Sequence, residues 1–241
     1  MQKCHFITFG NQRYYNSVTR ICQEAQILGV FNTIKGYREK DLFEFEDFLQ
    51  HRDYCYNNRR GFGYWTWKSF LVMKNLETMD ENDILADAGC TINKEGRERM
   101  LEYFKMANES HTGNVAIQLQ PEYTEKMWTK MDLVEHLQAH SYMDSIHTIT
   151  GFFVIRKCDF TLNLVREWYK VSCNYDLVND SPSRLPNYPE FVEHRHDQSV
   201  FSLLRKKYGC VLIEEDETYN SFIPDPYADK TKPVHATRIS G

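Results

Sequence analysis

Apolar positions in the first 35 residues change from one spacing to another. Residues 3–9 form an apolar run that predicts a strand, and Gly10 and Asn11 follow as a turn. A repeat of about 3.6 residues then predicts a helix with a buried face of Val18, Ile21, Cys22, Ala25 and Leu28. Gly29 ends this helix, and residues 30–34 predict a second strand. The order strand, helix, strand indicates a right-handed crossover and a parallel sheet.

The same alternation continues along the chain. Further helices are predicted at residues 41–50, 65–78, after Asn93, and at 128–140, 160–173 and 196–208. Further strands are predicted at residues 83–86, 114–119, 146–155 and 210–213. No internal repeat or low-complexity linker interrupts them. The pattern therefore predicts one α/β domain over residues 1–241, with a mixed, mostly parallel sheet flanked by helices.

Composition narrows the possible partners. The 29 Lys and Arg residues are outnumbered by 34 Asp and Glu residues, so no general basic surface for nucleic acid is expected. The seven cysteines are odd in number and form no Cys-x-x-Cys pair, which argues against zinc and disulfides and favours the cytoplasm. No apolar run approaches the roughly 20 residues of a transmembrane segment, and no secretory leader is recognised.

A carboxylate directly follows an apolar strand in the segment 83–90. Asp87 directly follows the predicted strand, and the small residues Ala88 and Gly89 come next. Ligands of open α/β sheets bind at the carboxyl ends of strands, so a phosphate or a metal ion has room to approach here. The alternative is that Asp87 only opens a turn.

Two further segments carry candidate chemistry. Residues 59–68 place two arginines, two glycines and Lys68 at a helix start, which suits a diphosphate; alternatively the tryptophans are core residues and the arginines a solvated face. Residues 193–199 place His194, His196 and Asp197 at another helix start. These side chains supply ligands or a general base, although capping alone explains a single Asp there.

Together these segments resemble the nucleotide-sugar glycosyltransferases of the GT-A fold, particularly small microbial and large-DNA-virus enzymes. The resemblance runs through residues 6–10, 60–68, 83–90, 128–132 and 194–199. It implies a GT-A-like, Rossmann-like fold with a donor-binding half (1–120) and an acceptor-binding half (121–241). It also implies a hexosyl- or pentosyltransferase that uses a UDP- or GDP-sugar and a hydroxyl of a glycan or other acceptor.

The resemblance implies roles for individual side chains. Donor binding is expected from Thr8, Phe9, Gly10, Arg60, Lys68, Asp87, Ala88 and Gly89. Acceptor binding is expected from Gly151, Phe152, His194 and Gln198. Asp197 is expected to orient or deprotonate the acceptor, with His196 tuning it. The family's Asp-x-Asp metal motif matches Leu85-Ala86-Asp87 here, which lacks the first carboxylate, so only Asp87 is carried over from it. The expected metal ion is Mn²⁺ or Mg²⁺, bound by Asp87 and His235.

Two other functions remain open. The missing first carboxylate is compatible with a nucleotide-sugar or glycan-binding protein that has lost catalysis. A sugar nucleotidyltransferase also uses an α/β sheet, but its first strand leads into a glycine-rich basic loop, which Gly10-Asn11-Gln12-Arg13 matches poorly.

Overall fold

A six-stranded sheet forms the centre of the computed structural model, which describes residues 2–218 and 231–237. The strands are β1 (Cys4–Phe9), β2 (Thr33–Tyr37), β3 (Ile84–Ala88), β4 (Thr91–Ile92), β5 (Asn114–Ile117), β6 (Phe152–Arg156), β7 (Val211–Ile213) and β8 (Val234–His235). The order in the large sheet is β2-β1-β3-β6-β5-β7, and β6 runs antiparallel to both neighbours. β4 and β8 pair separately. The predicted mixed, mostly parallel sheet flanked by helices is confirmed.

Helices connect the strands and cover both faces of the sheet. They are α1 (Tyr15–Leu28), α2 (Glu39–Leu42), α3 (Arg52–Asn57), α4 (Gly61–Tyr64), α5 (Thr66–Thr78), α6 (Arg97–Glu109), α7 (Glu125–Trp128), α8 (Met131–Leu137), α9 (Asp159–Ser172), α10 (Tyr175–Val178) and α11 (Asp197–Tyr208). Short 3₁₀ helices occupy Gln12–Tyr14, Glu46–His51, Lys94–Gly96 and His140–Tyr142. Within the described residues, none of the helices combines the length and apolarity needed to cross a membrane.

The sheet separates two hydrophobic cores because successive strand residues point to opposite faces. On β1, Ile7 belongs to the core formed with α5, α9 and α11, whereas Phe6 belongs to the core formed with α1 and α6. On β3, Leu85 lies on the same face as Ile7. Asp87 follows Leu85 by two residues and pairs with Ile7, so its side chain points toward α5 and α11.

Some elements differ from their predicted bounds where apolar residues pack outside the sheet. β2 begins at Thr33 rather than at residue 30, because Val30 and Phe31 pack against the α1 core before the strand starts. β2 is an edge strand whose Thr33 and Lys35 are exposed, so its sequence is less apolar than that of a central strand. Residues 41–50 form a short helix and a 3₁₀ helix instead of one continuous helix.

Candidate active site

The carboxyl ends of β1 and β3 and the amino end of β6 meet at one edge of the sheet. Ala88 pairs with Phe152, and the amide of Gly89 donates to the carbonyl of Gly151 over 2.9 Å. The predicted donor residues at 8–10 and 87–89 therefore lie at the same edge as the predicted acceptor residues Gly151 and Phe152.

Three charged side chains from different elements converge behind this edge: Lys68 of α5, Asp87 of β3 and Asp197 of α11, which we call the acid–lysine cluster. Lys68 Nζ lies 3.3 Å from Asp87 Oδ2 and donates to the carbonyl oxygen of Thr150 over 2.9 Å. The three residues are only 6%, 4% and 5% exposed, respectively. The sequence signals at residues 59–68, 83–90 and 193–199 thus contribute one residue each to a single buried cluster.

Burial and mutual charge determine the protonation of the cluster. Burial raises the pKa of Asp197 to about 7, because Lys68 offsets only part of the desolvation and Asp87 adds repulsion. Burial also raises the pKa of Asp87, partly offset by Lys68. Desolvation works against the charged form of Lys68, but attraction to Asp87 and Asp197 outweighs it and raises the Lys68 pKa. Lys68 therefore stays cationic, while Asp197 titrates near neutral pH.

The backbone before Lys68 makes an unusual turn. All five residues from Gly61 to Trp65 have positive φ angles, between 51° and 83°. A side chain at Gly61 would collide with the indole of Trp65, since an added Cβ would lie 2.2 Å from it. This left-handed turn ends where α5 begins, and it fixes the first turn of α5, which carries Lys68. A Cβ added at Gly63 would lie 2.9 Å from Cys55 Sγ, so close packing, together with the positive φ, favours glycine at both 61 and 63.

The backbone before Asp197 is also strained. His196 has φ 56° and ψ −127°, a region that residues other than glycine rarely adopt. Its ring is held by Val178, whose carbonyl oxygen accepts from Nδ1 over 2.7 Å, and packs beside Tyr64 and Trp65. Burial lowers the pKa of His196 to about 4, so the ring is neutral at pH 7. His196 therefore connects the left-handed turn to the start of α11.

The side chains of Gln198 and His194 form hydrogen bonds with backbone groups near the cluster. Gln198 Oε1 accepts from the amide of Thr150 over 3.2 Å, and the Thr150 carbonyl in turn accepts from Lys68. His194 Nδ1 accepts from the amide of Lys130 over 3.3 Å, and Nε2 donates to Leu177 over 2.9 Å. Both ring nitrogens of His194 are thus used within the protein, and its acceptor role remains a prediction without geometric support.

The other predicted donor residues make their contacts outside the acid–lysine cluster. Arg60 pairs with Asp180 over 3.1 Å and with Glu193 over 3.0 Å, so it faces the segment that leads into α11. The ring of Phe9 packs 4.0 Å, centroid to centroid, from that of Trp67. Thr8 is buried, and Gly10 leaves space for Val18, whose Cγ2 would lie 2.7 Å from an added Cβ. Packing alone explains the glycine at position 10.

Among the residues that the structure describes, the surroundings of Asp87 do not fit a divalent metal. Its carboxylate already contacts the Lys68 ammonium, and a metal ion on Oδ2 would be repelled by that nearby positive charge. His235 instead lines a cavity of about 270 Å³ together with Glu24, Ile27, Thr91, Ile92, Asn93 and Lys94. Across residues 2–218 and 231–237, no group of three or more His, Cys, Asp or Glu residues is arranged to hold a metal ion.

Two partners in this region were missed by sequence reasoning. Thr150 contributes a backbone carbonyl to Lys68, and Asp180 contributes a carboxylate to Arg60. A backbone carbonyl leaves no residue-type signal, and Asp180 lies in a loop with no regular spacing. Neither residue was recognisable from the sequence pattern.

Comparisons with known proteins give remote likenesses. The chain is similar to a glycosyltransferase involved in the glycosylation of the major capsid of PBCV-1, with 12% identity, a TM-score of 0.46 and coverage of 96% of this chain and 92% of that one. It is also similar to mouse xyloside xylosyltransferase 1 in its apo form, with 10% identity, a TM-score of 0.42 and coverage of 96% and 95%. No family model and no curated protein matches. Likenesses this remote do not assign an activity.

Proposed function

We propose that the chain is a glycosyltransferase that moves a hexosyl or pentosyl group from a UDP- or GDP-sugar to a hydroxyl group of a glycan or other acceptor. The observation that carries the proposal is the acid–lysine cluster at the carboxyl edge of the sheet, where ligands of α/β proteins bind. Glycosyl transfer needs a base for the acceptor and positive charge for the departing diphosphate, and the cluster offers both.

Asp197 is the proposed general base. A base works best when its pKa lies near the operating pH, and burial raises the pKa of Asp197 to about 7. In the proposed step, the acceptor oxygen forms a bond to the anomeric carbon and gives its proton to Asp197. The bond between the anomeric carbon and the diphosphate oxygen breaks, and its electron pair leaves with the nucleoside diphosphate.

Neutral His196 is a positioning residue in this scheme. Its ring contacts hold the strained backbone that places Asp197 at the first position of α11. Tyr64 and Trp65 pack against this ring from the side of α5. The acceptor is therefore expected to approach Asp197 next to these aromatic side chains.

The proposal is tested by turnover of UDP- and GDP-sugars, measured as nucleoside diphosphate released with and without glycan acceptors. Asp197→Asn should lower the rate by about 10²–10⁴-fold, since it removes the base but keeps the shape. The rate of the wild type should also fall about tenfold per pH unit below pH 7, because protonation removes the base.

Asp159→Asn is the matched control, because Asp159 is an exposed aspartate at the same position of another helix, α9. It should leave the rate unchanged. Equal turnover by Asp197→Asn and the wild type would exclude Asp197 as the base. Tight donor binding with no turnover by the wild type would identify a binding protein instead.

A further inference from the structure

We propose that the Lys68 ammonium, held by Asp87, is the cation that binds the diphosphate of the donor, so that no divalent metal is required for donor binding. This inference rests on the proposed function and specifies how that site recognises its donor. Asp87, the carboxylate expected to bind a metal, is here the counter-ion of a lysine.

The Lys68 ammonium has hydrogen-bonding capacity left for a ligand. It carries three N–H bonds. Within the described chain, its contacts at hydrogen-bond or ion-pair distance are the Thr150 carbonyl at 2.9 Å and Asp87 Oδ2 at 3.3 Å. Asp197 lies near enough to interact electrostatically but forms no ion pair with Lys68 within 4 Å. One N–H of Lys68 therefore has no hydrogen-bond acceptor among the described residues, and we propose that an anionic oxygen of the donor takes this position.

Asp87 also behaves as a counter-ion rather than as a metal ligand. Its Oδ2 has no well-directed hydrogen bond despite being buried, so contact with the ammonium is its main compensation. A metal ion would lie about 2 Å from a carboxylate oxygen and would require several further oxygen ligands. Lys68 occupies that side of the carboxylate and brings a positive charge of its own.

The edge of the sheet next to Asp87 is open at Gly89. Gly89 is exposed, and a Cβ added to it would meet no atom of the described residues within 4 Å, so open space adjoins the end of β3 two residues after Asp87. Lys68 lies in the first turn of α5, where the helix dipole adds positive potential. In a site shielded from water, one fixed ammonium interacts more strongly with an anion than an exposed lysine does.

The test measures binding by isothermal titration calorimetry with UDP, GDP, ADP and dTDP, each in EDTA and again in Mn²⁺. The wild type should bind at least one of them with the same affinity in both buffers. Lys68→Met should weaken that binding in EDTA by about 10- to 100-fold, the effect expected for losing one charged hydrogen bond. The matched control is Lys74→Met. Lys74 lies nearer the C-terminal end of the same helix and forms an ion pair with Asp47.

Lys68→Met leaves Asp87 buried without its counter-ion and is therefore accompanied by the double variant Lys68→Met/Asp87→Asn, which removes both charges. Weakened binding by the folded double variant supports the proposal equally. Binding that requires Mn²⁺, or unchanged binding in EDTA after loss of Lys68, overturns it and leaves the glycosyltransferase function standing. If the wild type binds none of the four nucleoside diphosphates in either buffer, the proposed function itself fails.

Discussion

Helix α11 contributes to two buried groups of charged side chains that differ in how well their carboxylates are satisfied. At its first residue, Asp197 belongs to the acid–lysine cluster. Farther along, Ser202 and Lys206 contact Glu125 of α7, which also accepts from Thr129 and His147. We call these five residues, Glu125, Thr129, His147, Ser202 and Lys206, the Glu125 cluster. Glu125 and His147 are completely buried.

The two clusters shift carboxylate pKa values in opposite directions. Burial alone would raise the pKa of Glu125, but His147 and Lys206 more than compensate and lower it to about 2. Asp197 lacks comparable compensation, and its pKa rises to about 7. A buried carboxylate with a full set of donors stabilises the fold, whereas one left short of donors costs stability and remains available for proton transfer. The difference separates a structural cluster from a candidate catalytic one on the same helix.

The largest expected effect on stability is at Glu125. Glu125→Gln removes the negative charge and leaves the largely buried Lys206 ammonium with the neutral Ile146 carbonyl instead of a carboxylate, so it should destabilise the protein by about 3–5 kcal/mol at pH 7. Urea unfolding measures this loss. Because the folded pKa is depressed from 4.5 to about 2, the contribution of Glu125 is present above pH 4.5 and is lost as the pH falls toward 2.

Glu135→Gln is the control for this experiment, since Glu135 is exposed and its ion pair is with an exposed His140. Its effect should be close to zero. A loss at Glu125 no larger than that at Glu135 would mean that the Glu125 cluster does not stabilise the fold.

The second-largest expected effect on the free energy of unfolding is a gain in stability. Asp197→Asn should stabilise the protein by about 2–4 kcal/mol at pH 8, because it removes the cost of a buried carboxylate. The folded pKa of about 7 lies above the unfolded value of 3.8, so the folded wild type holds a proton that the unfolded chain releases between these values. The wild type therefore loses stability as the pH rises from 4 to 7, and the advantage of the variant should vanish near pH 4.

Thermal or urea unfolding from pH 4 to pH 8 follows this difference, with Asp159→Asn as the exposed helix-start control. A destabilised Asp197→Asn variant at pH 8 would show that Asp197 serves mainly as a helix cap. In that case the contrast with Glu125 would disappear, together with the physical basis for a base at position 197.

The sequence was informative where chemistry and element ends coincide. Asp87 after a strand, Lys68 near one helix start and Asp197 at another were each recognisable, because the ends of elements are where α/β folds present ligand-binding groups. That Asp87 pairs with Lys68 was not recognisable. Residue type and spacing indicate which edge a side chain occupies, but a contact across elements depends on packing between α5 and β3.

The contacts of the Glu125 cluster also could not be predicted from the sequence. Glu125 lies in a mixed stretch of charged and aromatic residues that has no regular pattern, and its partners are 4, 22, 77 and 81 residues away. His194 had a stronger sequence signal than Glu125, yet both of its ring nitrogens bond to the backbone. Histidines that hold loops together and histidines that bind ligands look alike in a sequence, since the imidazole serves both purposes.

The smallest expected effect on stability compares two serine hydroxyl groups of α11, one that donates to a charged carboxylate and one that donates to a neutral carbonyl. Ser202→Ala removes a hydrogen bond to the Glu125 carboxylate, whereas Ser199→Ala removes one to the backbone carbonyl of Trp128. We expect losses of about 1.5–3 kcal/mol and about 0.5–1.5 kcal/mol, respectively, at pH 7 by urea unfolding. As the pH falls toward 2, the Ser202 effect should shrink while the Ser199 effect persists, because only Glu125 loses its charge in the folded protein. Losses of unfolding free energy that are equal at both serines and change alike with pH would show that the charge on Glu125 does not strengthen its hydrogen bonds. The proposed difference between the two clusters would then reduce to burial alone.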